Sequence, residues 1–274
     1  MRPHAAALKA LLDEPRLQIM PGCGDGMGAH LIEEAGFRTG FISGSSISAM
    51  RLAMPDMDLV SFGEMADAVE TCIAAAPNVL WLADGDTGHG NALAVQKVIR
   101  TYARRGAAAV LIEDKIWPRP LGHGGAKLVI ERDVDEGILL LARTDARVSR
   151  GFDEALARIQ AFVAEGAHIL FLDSPQSEDE MRAGIAACNG RPALAVTSPA
   201  GKHFMPGNAE LERIGIRIVV YPQDILAASV QAIRAALGGL KGGAKPAMAS
   251  PAELATAIRS DEYLAQDARW PDPR

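Results

Sequence analysis

Two acidic side chains follow an apolar run in the segment VLWLADGDTGHGN, which covers residues 79–91. One glycine separates Asp84 from Asp86, and further glycines follow within a few residues. Carboxylates this close raise one another's pKa unless a cation lies among them. Their oxygen atoms favour Mg²⁺ or Mn²⁺ over zinc. The segment therefore predicts a divalent-metal site, and its glycines would let the backbone approach a small ligand.

Acidic residues also end other apolar runs of the chain. Glu113 and Asp114 follow the run AAAVLI, and Asp145 and Asp173 follow two later runs. Several carboxylates brought to one place would strengthen the case for a bound cation. An aspartate at a strand-to-helix junction is often an N-cap instead. That alternative stays open for Asp145, Asp153 and Asp173.

Eight apolar runs alternate with amphipathic segments of helical periodicity. We predict strands at residues 17–21, 40–43, 79–83, 108–113, 138–142, 169–172, 193–197 and 216–221. Continuous apolar strands that alternate with helices indicate a parallel sheet buried on both faces. Eight such units predict an α/β fold of the (β/α)8 TIM-barrel type. The carboxyl ends of the strands, where the acids lie, form the active face of such a barrel.

The barrel is predicted to occupy residues 1–240. Residues 241–274 are predicted to form a glycine-rich linker and a C-terminal helix over 251–265. One connection is unusual, because prolines and glycines fill much of the segment between Glu113 and Ile138. The remainder allows a helix of about two turns. We therefore expect the fourth crossover helix to be shortened.

The composition excludes several classes of function. The chain has 274 residues and a net charge of −6, and no block of basic residues suggests a nucleic-acid surface. Its three cysteines are far apart and match no metal or disulfide spacing. No apolar run reaches transmembrane length, and the charged N-terminus is unlike a signal peptide. We predict a soluble cytoplasmic protein.

The chain resembles the isocitrate lyase and phosphoenolpyruvate mutase superfamily over residues 17–221. The similar motifs are DGDTGHGN at 84–91, LIEDK at 111–115, LARTDAR at 141–147, FISGSSIS at 41–48 and MPD at 54–56. The resemblance implies a Mg²⁺-binding α/β barrel. It also implies a homotetramer in which a C-terminal helix swaps onto a neighbouring subunit.

The resemblance assigns roles to several residues. Asp84 would be the main metal ligand, directly or through water, with Asp56, Asp86 and Glu113 around it. Backbone N–H and hydroxyl groups of the segment Ser43, Gly44 and Ser45 would hold one substrate carboxylate. The alternative for this segment is a turn made of small residues.

Arg143 would bind a carboxylate as a planar fork with two donors. The alternative for Arg143 is an ion pair with one of the strand-end acids.

The loop after the fourth strand departs from the lyases of the superfamily. Its sequence PRPLGHGGAK, at 118–127, has Leu121 where those lyases carry a catalytic cysteine. Arg119 could supply a cation in this loop, and His123 could act as an acid or base or be merely solvated. Lys115 and Pro118 resemble the phosphonomutases, but the asparagine of that subgroup is missing.

These features favour a Mg²⁺-dependent lyase or decarboxylase that acts on a small 2-oxo or 2-hydroxy carboxylate. Cleavage of a C–C bond would leave an enolate, which the metal stabilises. One alternative is a phosphonate mutase or hydrolase of the same superfamily. Another is a barrel that binds a metal and a carboxylate metabolite without turnover.

Overall fold

The computed structural model describes residues 1–115, 137–197 and 203–270. In these residues eight strands form one parallel sheet. The strands are β1 (Gln18–Cys23), β2 (Thr39–Ile42), β3 (Leu80–Asp84), β4 (Ala109–Glu113), β5 (Leu139–Thr144), β6 (Ile169–Leu172), β7 (Leu194–Val196) and β8 (Ile218–Tyr221).

The described residues also form helices, which precede, connect and follow the strands in the sequence. They are α1 (Pro3–Asp13), α2 (Gly26–Glu34), α3 (Gly44–Leu52), α4 (Phe62–Ala75), α5 (Ala92–Arg105), α6 (Ala146–Ser149), α7 (Phe152–Ala164), α8 (Glu178–Ala187), α9 (Asn208–Ile214), α10 (Asp224–Lys241), α11 (Pro251–Ala257) and α12 (Ser260–Asp267).

The sheet curls into a nearly closed barrel, as predicted. Its strand order is β6-β5-β4-β3-β2-β1-β8-β7, so the chain neighbours β6 and β7 lie at the two ends of the series. A single bridge between Leu170 and Ala193 joins these ends, and the Leu170 N–H donates to the Pro192 carbonyl at 3.0 Å. The TIM-type barrel is therefore confirmed.

The core has an inner and an outer layer. Apolar side chains that fill the barrel interior include Met20, Phe41, Leu82, Leu141 and Phe171. Helix α1 adds Ala5, Leu8 and Leu12 to the same cluster. Alternate residues of the strands pack outward against the helices, as expected for strands buried on both faces.

Sequence patterns located the strands to within about two residues, and two of the amphipathic segments between them, 92–105 and 178–187, form α5 and α8. Helices α1 and α3 were not predicted. The final predicted helix over 251–265 is divided into α11 and α12, because Arg259 between them has a left-handed backbone with φ of 56°. The shortened fourth crossover lies outside the described residues.

The chain divides into two compact units, Met1–Ile225 and Leu226–Arg274. The first contains all eight strands. In the described part of the second, helices α11 and α12 have no buried residues. The predicted boundary at residue 240 and the helix swap stay predictions. Across the described residues, we find no helix that combines the length and apolar character needed to cross a membrane.

Candidate active site

The carboxyl ends of β3, β4 and β5 bring charged side chains together. Asp84 is the last residue of β3 and Glu113 the last residue of β4. Asp84 pairs in register with Leu111, and Glu113 pairs with Arg143 of β5. Neighbouring parallel strands thus present these side chains at similar heights of the barrel, as the sequence analysis predicted.

Asp84 and Asp86 converge on Gly44 at the beginning of α3. The Gly44 N–H donates to Asp84 Oδ2 at 3.1 Å, and the Asp86 N–H donates to Asp84 Oδ1 at 3.1 Å. A Cβ atom on Gly44 would lie 3.0 Å from Asp86 Oδ1 and 3.1 Å from Asp84 Oδ2. Two carboxylates therefore lie beside the N-terminus of α3, and a side chain at position 44 would require them to shift by a few tenths of an ångström.

Ser43 caps α3. Its Oγ accepts a hydrogen bond from the Ser46 N–H at 3.3 Å and lies 2.9 Å from Ser45 Oγ. Gly44 begins a helix of nine residues, so the segment is a capped helix N-terminus, and its role in binding a carboxylate stays a prediction. Helix N-termini carry free N–H groups and partial positive charge, which suit a bound carboxylate.

Arg143 lies in a network of ion pairs. Its Nε donates to Asp145 Oδ2 at 2.9 Å and its Nη2 donates to Asp145 Oδ1 at 2.8 Å. Arg143 Nε is also 3.6 Å from Glu113 Oε2, and Nη2 is 3.5 Å from Asp173 Oδ2. The ion-pair alternative for Arg143 is thus what the structure contains. Its side chain is still 21% exposed, and Phe171 packs against the guanidinium.

Lys115 is a second cation in this network and was not predicted as a site residue. Its side chain is 7% exposed, and Nζ lies 3.2 Å from Glu113 Oε2 and 3.3 Å from Asp145 Oδ1. The motif LIEDK contains Lys115, but the spacing alone gave no sign that its side chain turns back toward Glu113. Lys115 and Arg143 together offset part of the negative charge.

The buried acids resist ionising together. Burial raises the pKa of Asp84 and raises that of Glu113 to about 7, although Arg143 and Lys115 oppose both shifts. Burial raises the pKa of Asp86 well above its usual value, and the charges of Asp84, Glu113 and Asp58 raise it further. A divalent cation would reverse these effects by stabilising the carboxylates.

The donors fit a hydrated Mg²⁺ ion. In the parts of the chain that are described, no three His, Cys, Asp or Glu side chains are arranged to ligate one metal directly. Mg²⁺ usually binds through one or two carboxylates and keeps several waters. Thr87 Oγ1 and His89 Nε2 are buried beside Asp86 and make no hydrogen bond within the described residues. Waters around a cation would supply such partners.

The roles of three predicted site residues stay predictions. Asp56 is half buried in the loop between α3 and α4, and its role as a metal ligand stays a prediction. Arg119 and His123 lie outside the described residues.

The N-cap alternative is wrong for Asp153 and Asp173. Asp145 occupies the N-cap position of α6, but its side chain makes no capping bond. Ser177, rather than Asp173, caps α8. Asp153 lies inside the first turn of α7, after Gly151 at the N-cap.

Asp114 joins the ends of two strands to a helix. Its Oδ1 accepts from the Asp145 N–H at 3.1 Å, and its Oδ2 accepts from Arg158 Nη1 at 2.9 Å. The Asp114 N–H donates to the Arg143 carbonyl at 3.1 Å. Asp114 therefore points away from the network and supports the backbone that carries Arg143 and Asp145.

A family model described as phosphoenolpyruvate phosphomutase matches residues 8–241. The chain belongs to the phosphoenolpyruvate phosphomutase family. Membership in this family confirms the resemblance to the isocitrate lyase and phosphoenolpyruvate mutase superfamily that the motifs carried.

Similar proteins of the phosphoenolpyruvate phosphomutase family have different names. The chain is 31% identical to a chloroplastic carboxyvinyl-carboxyphosphonate phosphorylmutase of Arabidopsis thaliana, over 96% of this chain and 84% of that protein. It is 35% identical to a 2,3-dimethylmalate lyase of Eubacterium barkeri, over 80% of this chain and 79% of the lyase.

A solved phosphonopyruvate hydrolase in complex with oxalate and Mg²⁺ has a TM-score of 0.85 and 26% identity, over 99% of this chain and 100% of that one. Relatives thus include lyases, mutases, hydrolases and an oxaloacetate decarboxylase. Family membership indicates an enzyme but does not select one reaction.

Proposed function

We propose that this protein is a Mg²⁺-dependent lyase or decarboxylase that acts on a small 2-oxo or 2-hydroxy carboxylate or dicarboxylate. The observation that carries the proposal is the convergence of the half-buried Asp84 and buried Asp86 carboxylates on the N-terminus of α3. A hard cation held there would lie directly beside a group of N–H donors that suits an organic anion. Relatives named as lyases and as an oxaloacetate decarboxylase support it.

Four acidic side chains would surround the cation. Asp84 and Asp86 are the residues that would hold Mg²⁺, or Mn²⁺, with Asp56 and Glu113 acting around them through water. When bound, the ion supplies a Lewis acid that stabilises the negative oxygen of an enolate. The positive charges of Lys115 and Arg143 offset the negative charge of Glu113.

Two parts of the site would bind the substrate carboxylates. Ser43, Gly44 and Ser45 would hold one of them with backbone N–H and hydroxyl groups. Arg143 would hold the other, because its Nη1 atom donates no hydrogen bond to any of the described residues. Asp145 keeps the guanidinium plane in place for this contact.

Proton transfer needs a group other than a loop cysteine. Leu121 occupies the position where lyases of the superfamily carry that residue. We propose Arg119 and His123 as the groups that stabilise and protonate the enolate. Both belong to the loop after β4, which follows Glu113 and Lys115 directly.

A panel of 2-oxo and 2-hydroxy acids, oxaloacetate included, tests the proposal. The wild type should consume at least one of them with Mg²⁺ and lose that activity in EDTA. Asp84→Asn should lower kcat/KM by about 100-fold or more, because a ligand of the stabilising cation is lost. Asp13→Asn, at an exposed surface pair, is the matched control and should retain full activity.

The second candidate is a phosphonate mutase or hydrolase. The segment EDKIWPR favours it, since Lys115 and Pro118 resemble the phosphonomutases, and the phosphorylmutase relative is similar over nearly the whole chain. Isomerisation of a phosphonate or release of phosphate in the same panel would select this candidate. Binding of Mg²⁺ and a carboxylate with no turnover across both panels would select a non-catalytic barrel.

A further inference from the structure

The backbone of Asp84 departs from the ladder of hydrogen bonds that joins β2 to β3. These strands pair in register up to Ile42 and Ala83. Continued by one step, the parallel ladder would direct the Gly44 N–H to the Asp84 carbonyl. The Gly44 N–H donates instead to Oδ2 of the Asp84 side chain, at 3.1 Å. The Asp84 carbonyl therefore needs a different donor.

Tyr102 supplies that donor. Its hydroxyl donates to the Asp84 carbonyl at 3.1 Å, and its side chain is fully buried. A buried tyrosine hydroxyl is costly unless it finds a hydrogen-bond partner. Within the described part of the chain, the Asp84 carbonyl is the one hydrogen-bond partner of this hydroxyl. The two buried groups thus satisfy each other.

Packing between two helices holds the ring of Tyr102. The residue lies in α5 and belongs to the outer apolar cluster, together with Val98 of the same helix and Val69 of α4. Phe62, the first residue of α4, stacks on the ring with a centroid distance of 6.4 Å and an angle of 21° between the planes. The hydroxyl is therefore directed at the Asp84 carbonyl by a rigid part of the molecule.

We propose that Tyr102 is a positioning residue of the cation site, whose hydroxyl occupies the Asp84 carbonyl and so keeps the Gly44 N–H on the Asp84 carboxylate. The Asp86 N–H donates to the other oxygen of this carboxylate at 3.1 Å, so two bonds fix its plane. Without the hydroxyl, the buried carbonyl would compete for the Gly44 N–H, and the carboxylate would lose one of these two bonds. The inference rests on the proposed cation site at Asp84 and Asp86.

The experiment removes a single oxygen atom with Tyr102→Phe. The ring and its packing against Phe62 remain, so the fold is kept. Tyr221→Phe is the matched control, because it removes a hydroxyl that donates to Asn208 Oδ1 at 2.7 Å, between β8 and α9. Binding of Mn²⁺ alone is measured by electron paramagnetic resonance, without substrate and well below the Tm of every variant. Calorimetry in EDTA measures each Tm.

Both variants should lower the Tm by about 2–4 °C, because each loses one hydrogen bond. Only Tyr102→Phe should weaken Mn²⁺ binding, by about 10-fold, as loss of a group that orients a metal ligand commonly does. A purely structural role of Tyr102 would change the Tm alone. Unchanged Mn²⁺ affinity in Tyr102→Phe, or an equal loss in both variants, would overturn the inference. Absence of Mn²⁺ binding in the wild type would instead refute the proposed cation site.

Discussion

Arg143 and Asp145 form a two-pronged ion pair, with Nε and Nη2 of the arginine donating to the two carboxylate oxygens at 2.9 and 2.8 Å. The two residues are separated by Thr144 at the end of β5. The pair fixes the plane of the guanidinium, which is still partly exposed. The same arginine can therefore be held by the protein and present its remaining donors to a ligand.

Replacing Arg143 with lysine should raise KM about 10-fold and change kcat little. Lysine keeps the charge but loses the planar fork, so ground-state and transition-state binding weaken together. Steady-state kinetics on the substrate found in the panel measure the change. Arg147→Lys is the matched control, because Arg147 makes a similar fork to Glu180 outside the network. An equal effect of both substitutions would contradict a role of Arg143 in binding.

Replacing Gly44 with alanine should weaken Mg²⁺ binding about 10-fold or more, since it displaces the residues that orient the metal ligands. Its Cβ would approach Asp84 and Asp86 oxygens to 3.0–3.1 Å, so both carboxylates must move. Isothermal titration with Mg²⁺ measures the effect. Gly63→Ala in α4 is the control, because a Cβ there would meet only Ser61 Oγ, at 3.9 Å. A Gly44→Ala variant with wild-type affinity would show that the ion binds elsewhere.

The stability of the metal-free protein should fall as the pH rises toward neutrality. Burial raises the pKa of Glu113 from 4.5 to about 7, so between these values the folded state holds a proton that the unfolded chain releases. Glu113 alone should therefore lower the free energy of unfolding by up to about 3 kcal/mol between pH 4.5 and 7.

Urea unfolding in EDTA at a series of pH values measures this slope. Glu113→Gln should reduce it and leave the part due to Asp84 and Asp86, whose pKa values are also raised, whereas Glu14→Gln, on the exposed end of α1, should keep it whole. Mg²⁺ binds the ionised acids and should remove the decrease. An unchanged slope in Glu113→Gln would assign the effect to other groups.

Replacing Asp114 with alanine should lower the free energy of unfolding by about 2–3 kcal/mol, because the Asp145 N–H and Arg158 lose a buried charged partner. Chemical denaturation measures the loss. The exposed Asp153, replaced by alanine, should cost far less. Equal stability of the two variants would contradict a supporting role for Asp114.

The oligomeric state offers a separate prediction. Helix α10 exposes Ile233, Leu237 and Leu240 at 58–60% of their surface. Apolar side chains on one helix suit an interface between subunits, and we expect a homotetramer by light scattering. Ile233→Glu with Leu237→Glu should lower the measured mass, whereas Arg234→Glu should not. A monomeric wild type would rule out the tetramer.

The strands could be predicted because continuous apolar runs have few alternatives in a parallel sheet. Helix α3 escaped prediction because its sequence GSSISAMRL is rich in serine and has no clear apolar face. Its signals were the Ser43 cap and the left-handed Ala53 at its end, which local patterns reveal poorly.

The strand-end acids of the site were also predictable, because the fold fixes where β3 and β4 end. Lys115 was not, since it contacts Asp145, which is distant in sequence, and its side chain turns back toward Glu113. The sequence of a loop does not show which side chain a charged residue will contact. The pairing of Arg143 with Asp145 was likewise left open, because an arginine near several acids has several suitable partners.

The bridge between Leu170 and Ala193 is the pairing that joins the two end strands of the barrel. Strands β3 and β4 share three paired positions and β4 and β5 share five, whereas β6 and β7 share this one. Because β6 and β7 share the fewest backbone hydrogen bonds, we expect transient opening of the native protein to begin between them. Only β5 separates β6 from β4, and Asp173, which follows β6, contacts Arg143 of the candidate site. Such opening should therefore release Asp173 from Arg143 before it reaches Asp84 and Glu113.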